Sequence, residues 1–379
     1  MKTKVRFGMV GGHLESFIGN VHRNALSVNA CAELAAGCFS SRDREKNLQT
    51  GDYCDIDNDR IYDSYKEMAE AESRRSDGIE FVSIVTPNDT HYEIAKTFLE
   101  AGINVICEKP LCFTIEEAEE LKAIVEDKKL FFAVTYTYMG YVMVKVAAEM
   151  IKSGMIGTIM AVNGEYVQDW LLDAVTGDSG RYVWRLDPAK CGKANALGDI
   201  GTHIEYMVNY ITGLRIKRLL ATADYYGKQL ETNSNLLVQF DNGVNGSFWV
   251  TQIASGNGNG LKIRVCGTEG YIEWNQHEPD NLIYSPKGEP ARVITRGNPY
   301  LNGIKAASMT HLPAGHPEGF MVAFANIYKN VIEDYLKLKE CPDAEPAKDY
   351  PTIDAGINGV RFVDAAVKSI QNGSCWVEM

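Results

Sequence analysis

A lysine, an aspartate and a histidine stand in two short segments whose spacing suits proton transfer. Lys109 lies between a glutamate and a proline, at the end of the apolar run 103–107. Asp199 and His203 lie four residues apart in the segment GDIGTH, which places both on one face of a helix. An aspartate beside a histidine orients the imidazole, and a desolvated lysine loses basicity. These are the groups needed to take a proton from a hydroxyl while a hydride leaves its carbon.

Each of these residues also has a purely structural interpretation. Pro110 restricts Lys109 to extended backbone and ends the strand, so the lysine is held at the strand's carboxyl end. From spacing alone, Lys109 could equally be a surface lysine at that position. Asp199 could be only an N-cap, and His203 only a residue on a helix surface.

The elements that must position these residues change in kind near residue 140. Before it, apolar runs predict strands that alternate with helices; the strands are 5–10, 33–39, 81–85, 104–107 and 131–135, and the clearest helices are 92–101 and 115–127. This alternation predicts a doubly wound parallel sheet, whose ligands lie beyond the carboxyl ends of the strands.

The remaining chain is richer in β-type segments. The turns DNG at 241–243 and GTEG at 267–270 predict two hairpins, and helices are expected over 141–152, 318–339 and 354–371. The predicted fold class is α/β, with an N-terminal Rossmann dinucleotide-binding domain over 1–140. An α+β domain with a large, mainly antiparallel open sheet is expected over 141–379, and this domain is expected to bind the substrate.

A glycine-rich turn follows the first predicted strand. Backbone N–H groups in such a turn, at a helix N-terminus, can bind the pyrophosphate of a dinucleotide. The strict pattern of three glycines does not fit, because His13 occupies the second glycine's place and the loop is about three residues longer. The alternative is an ordinary strand-to-helix turn. The predicted contacts are Gly11, Gly12, His13, Phe17 and Ile18.

The end of the second predicted strand bears on the choice of cofactor. Ser40, Ser41 and Arg42 suit the 2′-phosphate of NADP, whereas Asp43 suits the ribose hydroxyl of NAD. Arg42 could also be a surface charge at a helix start. The sequence leaves NAD and NADP open.

The segment TPNDTH follows the third predicted strand. Pro87 ends that strand, and Asn88 could reach the amide or a ribose of the cofactor. Thr86, Pro87 and His91 are predicted to contact the cofactor beside it. The alternative is a turn that caps the next helix.

A further group of residues suits a sugar. The rings of Tyr136, Tyr138 and Trp170 could cover the apolar faces of a pyranose, and Arg185 lies just upstream of Asp199. His316, between a glycine and a proline, belongs to a shaped loop. Aromatic side chains serve equally as core residues.

Composition excludes several classes of protein. A formal net charge of −12 argues against a nucleic-acid binder. No apolar run is long enough for a membrane span, and the run 5–10 follows Met1 too closely for a signal peptide. Nine scattered cysteines without CxxC or zinc-type spacing predict reduced thiols, no metal site and a cytoplasmic location.

In combination, these motifs resemble the glucose-fructose oxidoreductase/inositol dehydrogenase (Gfo/Idh/MocA) family over essentially all of the chain. The motifs that carry the resemblance are the glycine turn, TPNDTH, AGINVICEKPL, YVWRLDP, GDIGTH and the closing segment YPTIDAGINGVRFVDAAVKSIQNGSCWV. The resemblance implies a two-domain, nicotinamide-dependent dehydrogenase of sugars, inositols or related polyols. It implies Lys109, Asp199 and His203 as the catalytic group, with Asn88, Glu108 and Lys109 beside the nicotinamide.

The extended turn GGHLESFIGNVHR resembles a subgroup of bacterial members, and it is similar to gut-bacterial enzymes that oxidise the carbon-3 hydroxyl of glucosides. This implies oxidation of a secondary hydroxyl of a pyranose or glycoside to a ketone, with NAD or NADP that can stay bound. An inositol dehydrogenase and a non-enzymatic nucleotide-sensing regulator are the alternatives. The open sheet of the family implies a homo-oligomer.

Overall fold

The computed structural model describes residues 4–177 and 183–379. Tyr182, the first residue of the motif YVWRLDP, lies outside the described residues. The chain divides into two compact units. Unit 1 comprises Met1–Thr137 and Phe320–Ile357, and unit 2 comprises Tyr138–Gly319 and Asn358–Met379.

Strands and helices are numbered here in chain order. The strands are β1 (Val5–Gly11), β2 (Ala32–Cys38), β3 (Phe81–Val85), β4 (Asn104–Cys107), β5 (Phe132–Val134), β6 (Ile159–Gln168), β7 (Ile216–Asp224), β8 (Asn233–Phe240), β9 (Asn245–Thr251), β10 (Asn259–Gly267), β11 (Gly270–Asn275), β12 (Asn281–Pro286), β13 (Arg292–Thr295) and β14 (Val377–Glu378). The α-helices are α1 (Phe17–Val28), α2 (Arg44–Tyr53), α3 (Tyr65–Arg74), α4 (His91–Glu100), α5 (Ile115–Lys128), α6 (Val142–Lys152), α7 (Leu172–Thr176), α8 (Pro188–Cys191), α9 (Thr202–Thr212), α10 (Phe320–Glu340) and α11 (Ile353–Gln371).

Unit 1 contains a parallel sheet of five strands in the order β2-β1-β3-β4-β5. Its strands β3 and β4 are buried along their whole length, as expected for a sheet covered on both faces. An isolated parallel bridge between Gly37 and Ile61 extends the sheet outside β2. The strand order reverses at β1, which pairs with β2 on one side and β3 on the other. Such a switch point is where doubly wound sheets bind ligands.

Unit 2 contains a nine-stranded sheet in the order β13-β12-β11-β10-β6-β9-β8-β7-β14. Its paired strands are antiparallel except for β6 and β9, which run parallel. Both predicted hairpins are present, as β8–β9 and β10–β11. The predicted fold class is therefore confirmed: a Rossmann-type parallel sheet, then a large and mostly antiparallel sheet.

Helix α10 packs within unit 1, although the sequence assigned this stretch to the second domain. Its face contacts α1, where Phe324 and His22 meet edge to face with ring centroids 4.8 Å apart. The Asn29 amide at the end of α1 donates to the Ala325 carbonyl at 3.0 Å. The domain boundary near residue 140 stays a prediction, and unit 1 takes in residues 320–357 in addition.

The start of α10 differs slightly from the expected helix 318–339. Glu318 accepts backbone N–H groups from His311 and Leu312 and pairs with the guanidinium of Arg296. These contacts tie Glu318 to the preceding loop, so the helix begins at Phe320. Within the described part of the chain, none of the helices combines the length and the apolar character that crossing a bilayer requires.

Candidate active site

The glycine turn at the end of β1 brings helix α1 very close to the strand. Gly11 and Gly12 have φ values of 78° and 72°, which favour glycine. A Cβ atom on Gly19 would lie 2.4 Å from the Gly12 Cα atom. The turn and the first turn of α1 therefore pack backbone against backbone, which is what a dinucleotide site needs.

His13 stabilises the longer loop by accepting hydrogen bonds from backbone N–H groups within it. The Ser16 N–H donates to the His13 carbonyl at 2.8 Å, and the Glu15 N–H donates to Nδ1 of the His13 ring at 3.3 Å. Leu14 is tied to α2 through Oγ1 of Thr50, which accepts its N–H at 3.3 Å. The loop thus closes into a turn although its second glycine is missing.

The first turn of α1 can bind an anion. Oγ of the N-cap Ser16 accepts the Gly19 N–H at 3.1 Å, so that donor is satisfied. The N–H groups of Phe17 and Ile18 are in the first helical turn, where helix geometry offers no acceptor. They can therefore donate to a phosphate, helped by the helix dipole. The Phe17 side chain is 76% exposed.

At the end of β2, Asp43 serves as the N-cap of α2. Its carboxylate accepts the Lys46 N–H at 3.1 Å, while Oγ of Ser40 accepts the Asp43 N–H at 3.1 Å. Ser41 and Arg42 are exposed beside this cap. The carboxylate that would suit NAD is therefore engaged by a backbone donor, and a serine and an arginine are left at the surface.

The segment after β3 forms a short 3-10 helix, Asn88–Thr90. Oγ1 of Thr90 donates to Oγ1 of Thr86 at 2.8 Å and to the Pro87 carbonyl at 2.7 Å. Asn88 is half-buried at the start of this turn. The turn interpretation and a cofactor contact by Asn88 are both compatible with this geometry.

His91 supports two loops at once. Its buried ring lies 2.8 Å from the Pro110 carbonyl and 3.0 Å from the Thr86 carbonyl, and thereby joins the segments that follow β3 and β4. Burial lowers the pKa of His91, against the opposing effect of these two hydrogen bonds. The ring nitrogens face the protein backbone, so a direct cofactor contact by His91 stays a prediction.

Glu108 and Lys109 follow the last residue of β4. One oxygen of Glu108, Oε1, faces Oγ1 of Thr135 and Nε2 of His22, the latter at 3.0 Å. The other oxygen accepts the Lys109 N–H at 3.3 Å. Burial raises the pKa of Glu108, but other influences, led by the hydrogen bond from His22, outweigh it and leave that pKa lowered. A buried carboxylate thus stands next to the half-buried Lys109.

In unit 2, Asp199 is held from two sides. Its Oδ1 lies 3.0 Å from Nη1 of Arg185, and its Oδ2 accepts Nε2 of Gln252 at 2.8 Å. Asp199 lies inside a π-helical turn, Leu197–Gly201, that leads directly into α9. Short π-helical turns recur at functional sites. No sequence pattern predicted this turn, and Asp199 lies inside it rather than at an N-cap position, which was the alternative for this residue.

Gln252 is itself positioned by a polar network. Nδ2 of Asn195 donates to Oε1 of Gln252 at 2.8 Å. Oε1 of Gln168 accepts Nε2 of Gln252 at 3.2 Å and Nε1 of Trp170 at 2.6 Å. The Arg185 guanidinium lies over the Trp170 ring, 5.4 Å from its centre. The predicted residues Trp170 and Arg185 therefore belong to the same cluster as Asp199.

Glu231 fixes the segment that leads into the π-helical turn. Its carboxylate accepts the N–H groups of Asn195 and Leu197 at 3.0 and 2.8 Å. Burial raises the pKa of Glu231 to about 7, opposed by these hydrogen bonds. Sequence reasoning missed Glu231, Gln252, Gln168 and Asn195, because they come from other strands and loops and carry no local motif.

His203 lies in the first turn of α9 and is 5% exposed. The rings of Tyr138 and Tyr166 contact it, with centroid distances of 4.8 and 6.0 Å. The hydroxyls of these two tyrosines are hydrogen-bonded to each other. Tyr138 therefore packs against His203, together with Tyr166, which the sequence did not indicate; contact of Tyr138 with a substrate stays a prediction.

Two further residues, Tyr136 and His316, were predicted to contact the substrate. Tyr136 belongs to unit 1, where it is buried. His316 lies on an exposed loop, and its carbonyl accepts from Arg296. Among the described residues, no hydrogen bond or ion pair joins His316 to Asp199 or its partners. The same part of the chain holds no cluster of three side chains suited to a metal ion.

Comparisons with known proteins agree with this geometry. Residues 5–136 match the oxidoreductase family with NAD-binding Rossmann fold, and residues 144–273 match the GFO/IDH/MocA C-terminal domain. The uncharacterized oxidoreductase YfiI of Bacillus subtilis is 40% identical over 388 residues, covering 99% of this chain and 96% of that protein. Levoglucosan dehydrogenase of Pseudarthrobacter phenanthrenivorans is 33% identical over 284 residues, covering 67% of this chain and 72% of that enzyme.

A solved structure extends the likeness to the whole fold. The inositol dehydrogenase homolog of Azotobacter vinelandii, complexed with NAD+, superposes with a TM-score of 0.95 at 36% identity and covers 100% of this chain and 98% of that one. Its complex with NADH and myo-inositol gives a TM-score of 0.92 at 34% identity, with the same coverage.

The two family matches account for most of the sequence, and they fall on the parallel sheet and the antiparallel sheet respectively. The glycine turn and the first turn of α1 lie at the switch point of the parallel sheet, as a dinucleotide site requires. Unit 1 thus contains an NAD-binding Rossmann domain, and the chain belongs to the Gfo/Idh/MocA family of oxidoreductases.

Proposed function

We propose that this protein is an NAD(P)-dependent dehydrogenase that oxidises a secondary hydroxyl of a pyranose sugar or glycoside, at carbon 3, to a ketone. The family is one of oxidoreductases, and relatives are named for levoglucosan and for inositol. These are cyclic polyols, which supports a substrate with several ring hydroxyls.

The observation that carries the proposal is the way Asp199 is held. Its two oxygens pair with Arg185 and Gln252, one turn before His203. A carboxylate fixed at both oxygens is a rigid anchor for a neighbouring imidazole. The rings of Tyr138 and Tyr166 enclose His203 and limit its exposure to water, which strengthens electrostatic interactions.

In the proposed mechanism, each protein group acts on one hydroxyl of the substrate. His203 accepts the hydroxyl proton as general base, and Asp199 orients the imidazole and stabilises its charge. The Lys109 ammonium donates to the same oxygen and stabilises the negative charge that develops on it. NAD, when bound, supplies the carbon that accepts the hydride. The C–H and O–H bonds of the alcohol break, and a ketone, a protonated His203 and NADH result.

The cofactor is expected at the turn formed by Gly11 and Gly12 and at the N–H groups of Phe17 and Ile18. We propose that Ser40, Ser41 and Arg42 face the adenosine ribose. If NADP binds, their side chains would donate hydrogen bonds to its 2′-phosphate. The Trp170 ring and Arg185 are proposed to contact the sugar. An aromatic ring covers the C–H face of a pyranose, and a guanidinium donates to its hydroxyls.

We weigh two alternatives against this proposal. The Azotobacter vinelandii structure that contains NADH and myo-inositol favours the same chemistry on a free inositol. A nucleotide-sensing regulator would use the same fold without catalysis, because a fold does not fix a function. A regulator has no use for a complete set of Lys109, Asp199 and His203, so this set favours an enzyme.

The test is the absorbance of reduced nicotinamide. Purified protein is mixed with NAD or NADP and, separately, with glucosides, free hexoses and inositols. Reduction of NAD or NADP by glucosides, with a 3-keto product identified by NMR, would support the proposal and would identify which cofactor the enzyme uses. Reduction of the cofactor by inositols alone would favour the inositol dehydrogenase alternative. Binding of NAD without any hydride transfer would favour the regulator.

A further inference from the structure

A buried chain of four polar side chains runs through unit 1 and ends at the residue before Lys109. Oγ of Ser83 lies 2.8 Å from the Tyr328 hydroxyl, which lies 2.7 Å from Nδ1 of His22. Nε2 of His22 lies 3.0 Å from Oε1 of Glu108. Ser83 and His22 are fully buried, Tyr328 is 1% exposed and Glu108 is 9% exposed. These residues come from β3, α10, α1 and the end of β4.

We propose that His22 is a positioning residue of the enzyme: it holds the Glu108 carboxylate, and through it the Lys109 backbone, against helix α1. Tyr328 and Ser83 serve to fix the His22 ring in one tautomer. The inference rests on the proposed function for the role of Lys109, but the hydrogen-bond chain itself does not.

The tautomer follows from the count of protons along the chain. An ionised carboxylate only accepts hydrogen bonds, so Nε2 of His22 must carry a proton. A neutral imidazole then accepts at Nδ1, and the donor there is the Tyr328 hydroxyl. The Tyr328 oxygen in turn accepts from Ser83. Ser83 thus donates to Tyr328, Tyr328 donates to His22, and His22 donates to Glu108. Every donor has an acceptor, which is the condition for a stable buried polar network.

The link to Lys109 runs through the two oxygens of Glu108. Oε1 is held by His22 and by Thr135 at the end of β5, and Oε2 accepts the Lys109 N–H at 3.3 Å. Helix α1 carries His22 near its middle and presents its N-terminus at the glycine turn. The same helix therefore supports both the phosphate end of the cofactor site and the backbone of Lys109.

The lowered pKa of Glu108 also supports a positioning role for His22. Burial alone would raise the pKa of Glu108, and His22 is the largest of the influences that lower it. The titratable groups that act on Glu108, or on which it acts, come from α1, α4, α10 and β4 with its following turn; they are His22, His91, Tyr328, Cys107 and Lys109. Among them, His22 places a side-chain nitrogen, Nε2, 3.0 Å from the Glu108 carboxylate. Loss of its donor is expected to favour protonation of Glu108 and to remove a negative charge beside Lys109.

Two substitutions of His22 separate a positioning role from simple packing. In His22→Gln the amide nitrogen reaches the place of Nε2 and can still donate to Glu108. In His22→Asn the shorter amide lies near Nδ1 and cannot. We expect His22→Asn to lower kcat about tenfold or more, with NADH affinity changed less than about threefold. His22→Gln should retain at least about fivefold more activity than His22→Asn, at a comparable melting temperature. If both variants lose activity in proportion to their loss of stability, the inference is wrong.

Measurements without substrate test the chain directly. In the full-length protein, 15N NMR of the His22 ring should report a neutral imidazole protonated at Nε2, and Tyr328→Phe should shift the Nδ1 resonance. Infrared difference spectra against Glu108→Gln should show an ionised Glu108 in the wild type and a protonated one in His22→Asn at neutral pH. An imidazolium, or a proton on Nδ1, would overturn the inference. These readouts stand even if no polyol is oxidised, so failure of the proposed function and failure of this inference are distinguishable.

Discussion

Gln252, on the segment that follows β9, donates from Nε2 to Oδ2 of Asp199 at 2.8 Å, across a sequence separation of 53 residues. The amide leaves Oδ1 to Arg185 and so fixes the plane of the carboxylate. The orientation of Asp199 therefore depends on the antiparallel sheet as well as on the helix that carries it.

Replacing Gln252 by Ala tests this dependence. The Asp199 carboxylate would keep Arg185 but would lose the donor that holds Oδ2, so we expect kcat to fall about tenfold while NADH affinity is unchanged. Stopped-flow and steady-state kinetics on the best substrate of the panel measure this. Gln371→Ala, on the exposed end of α11, is the matched control. An active Gln252→Ala variant with wild-type kcat would show that the amide is not needed.

Glu205 makes stability depend on pH. It is buried in α9, and its Oε2 has no hydrogen-bond partner in the part of the chain that the structure describes. Burial raises the pKa of Glu205 to about 8. The folded protein therefore keeps this proton where the unfolded chain releases it, from about pH 4.3 upward. This contribution to stability is complete below pH 4.3 and is lost progressively up to about pH 8.

The variant Glu205→Gln should remove that loss. In denaturant unfolding, the free energy of unfolding of this variant should be close to that of the wild type at the acid end of the pH window. At the alkaline end it should exceed the wild-type value by roughly 2 kcal/mol or more. The exposed Glu100→Gln variant, at the end of α4, serves as control. Equal stability of wild type and Glu205→Gln at every pH would mean that the side chain ionises in the folded state.

The close packing of Gly19 on Gly12 predicts a strong effect on cofactor binding. In Gly19→Ala the new methyl group would meet backbone atoms of Gly12 at 2.4 to 2.7 Å, which side-chain rotation cannot relieve. Helix α1 must shift, and the N–H groups at its start shift with it. We expect NADH affinity, measured by calorimetry, to fall about tenfold or more. Gly258→Ala, where nothing lies within 4 Å of the new methyl group, should bind NADH like the wild type.

One face of the nine-stranded sheet predicts association with a second copy of the chain. Leu237 on β8 is 53% exposed, Val293 on β13 is 62% exposed and Trp249 on β9 is 38% exposed. Large apolar side chains on a sheet surface are typical of an interface. Light scattering should find a homo-oligomer, and Leu237→Arg should shift it towards monomer, whereas Met160→Arg at the start of β6 serves as a control at another exposed position. A monomeric wild type would contradict this proposal.

Local patterns were sufficient for much of the fold. The apolar runs gave β3 and β4 with their observed bounds, and the glycine-containing turns gave the β8–β9 and β10–β11 hairpins. The strands of unit 2 that lie outside these two hairpins were missed. The clearest case is β6, whose partners β9 and β10 lie far along the chain. Helix α2, with a mostly polar sequence, offers no apolar stripe to recognise.

The residues of the candidate site also fall into a group that local motifs reveal and a group that only the fold reveals. Lys109, Asp199, His203 and Arg185 stand in short motifs, and the structure finds Arg185 against Asp199. The residues that hold them in place, such as Gln252, Glu231 and His22, act through tertiary contacts between distant segments. Their residue types are common in any sequence, so only the folded chain identifies them.

The central claim is that His203 accepts a proton during hydride transfer. The most direct measurement is the rate of NADH formation by His203→Ala, with NADH binding measured on the same preparation. If His203 is the general base, kcat of this variant falls by about two to four orders of magnitude while NADH still binds. Turnover close to that of the wild type would contradict it.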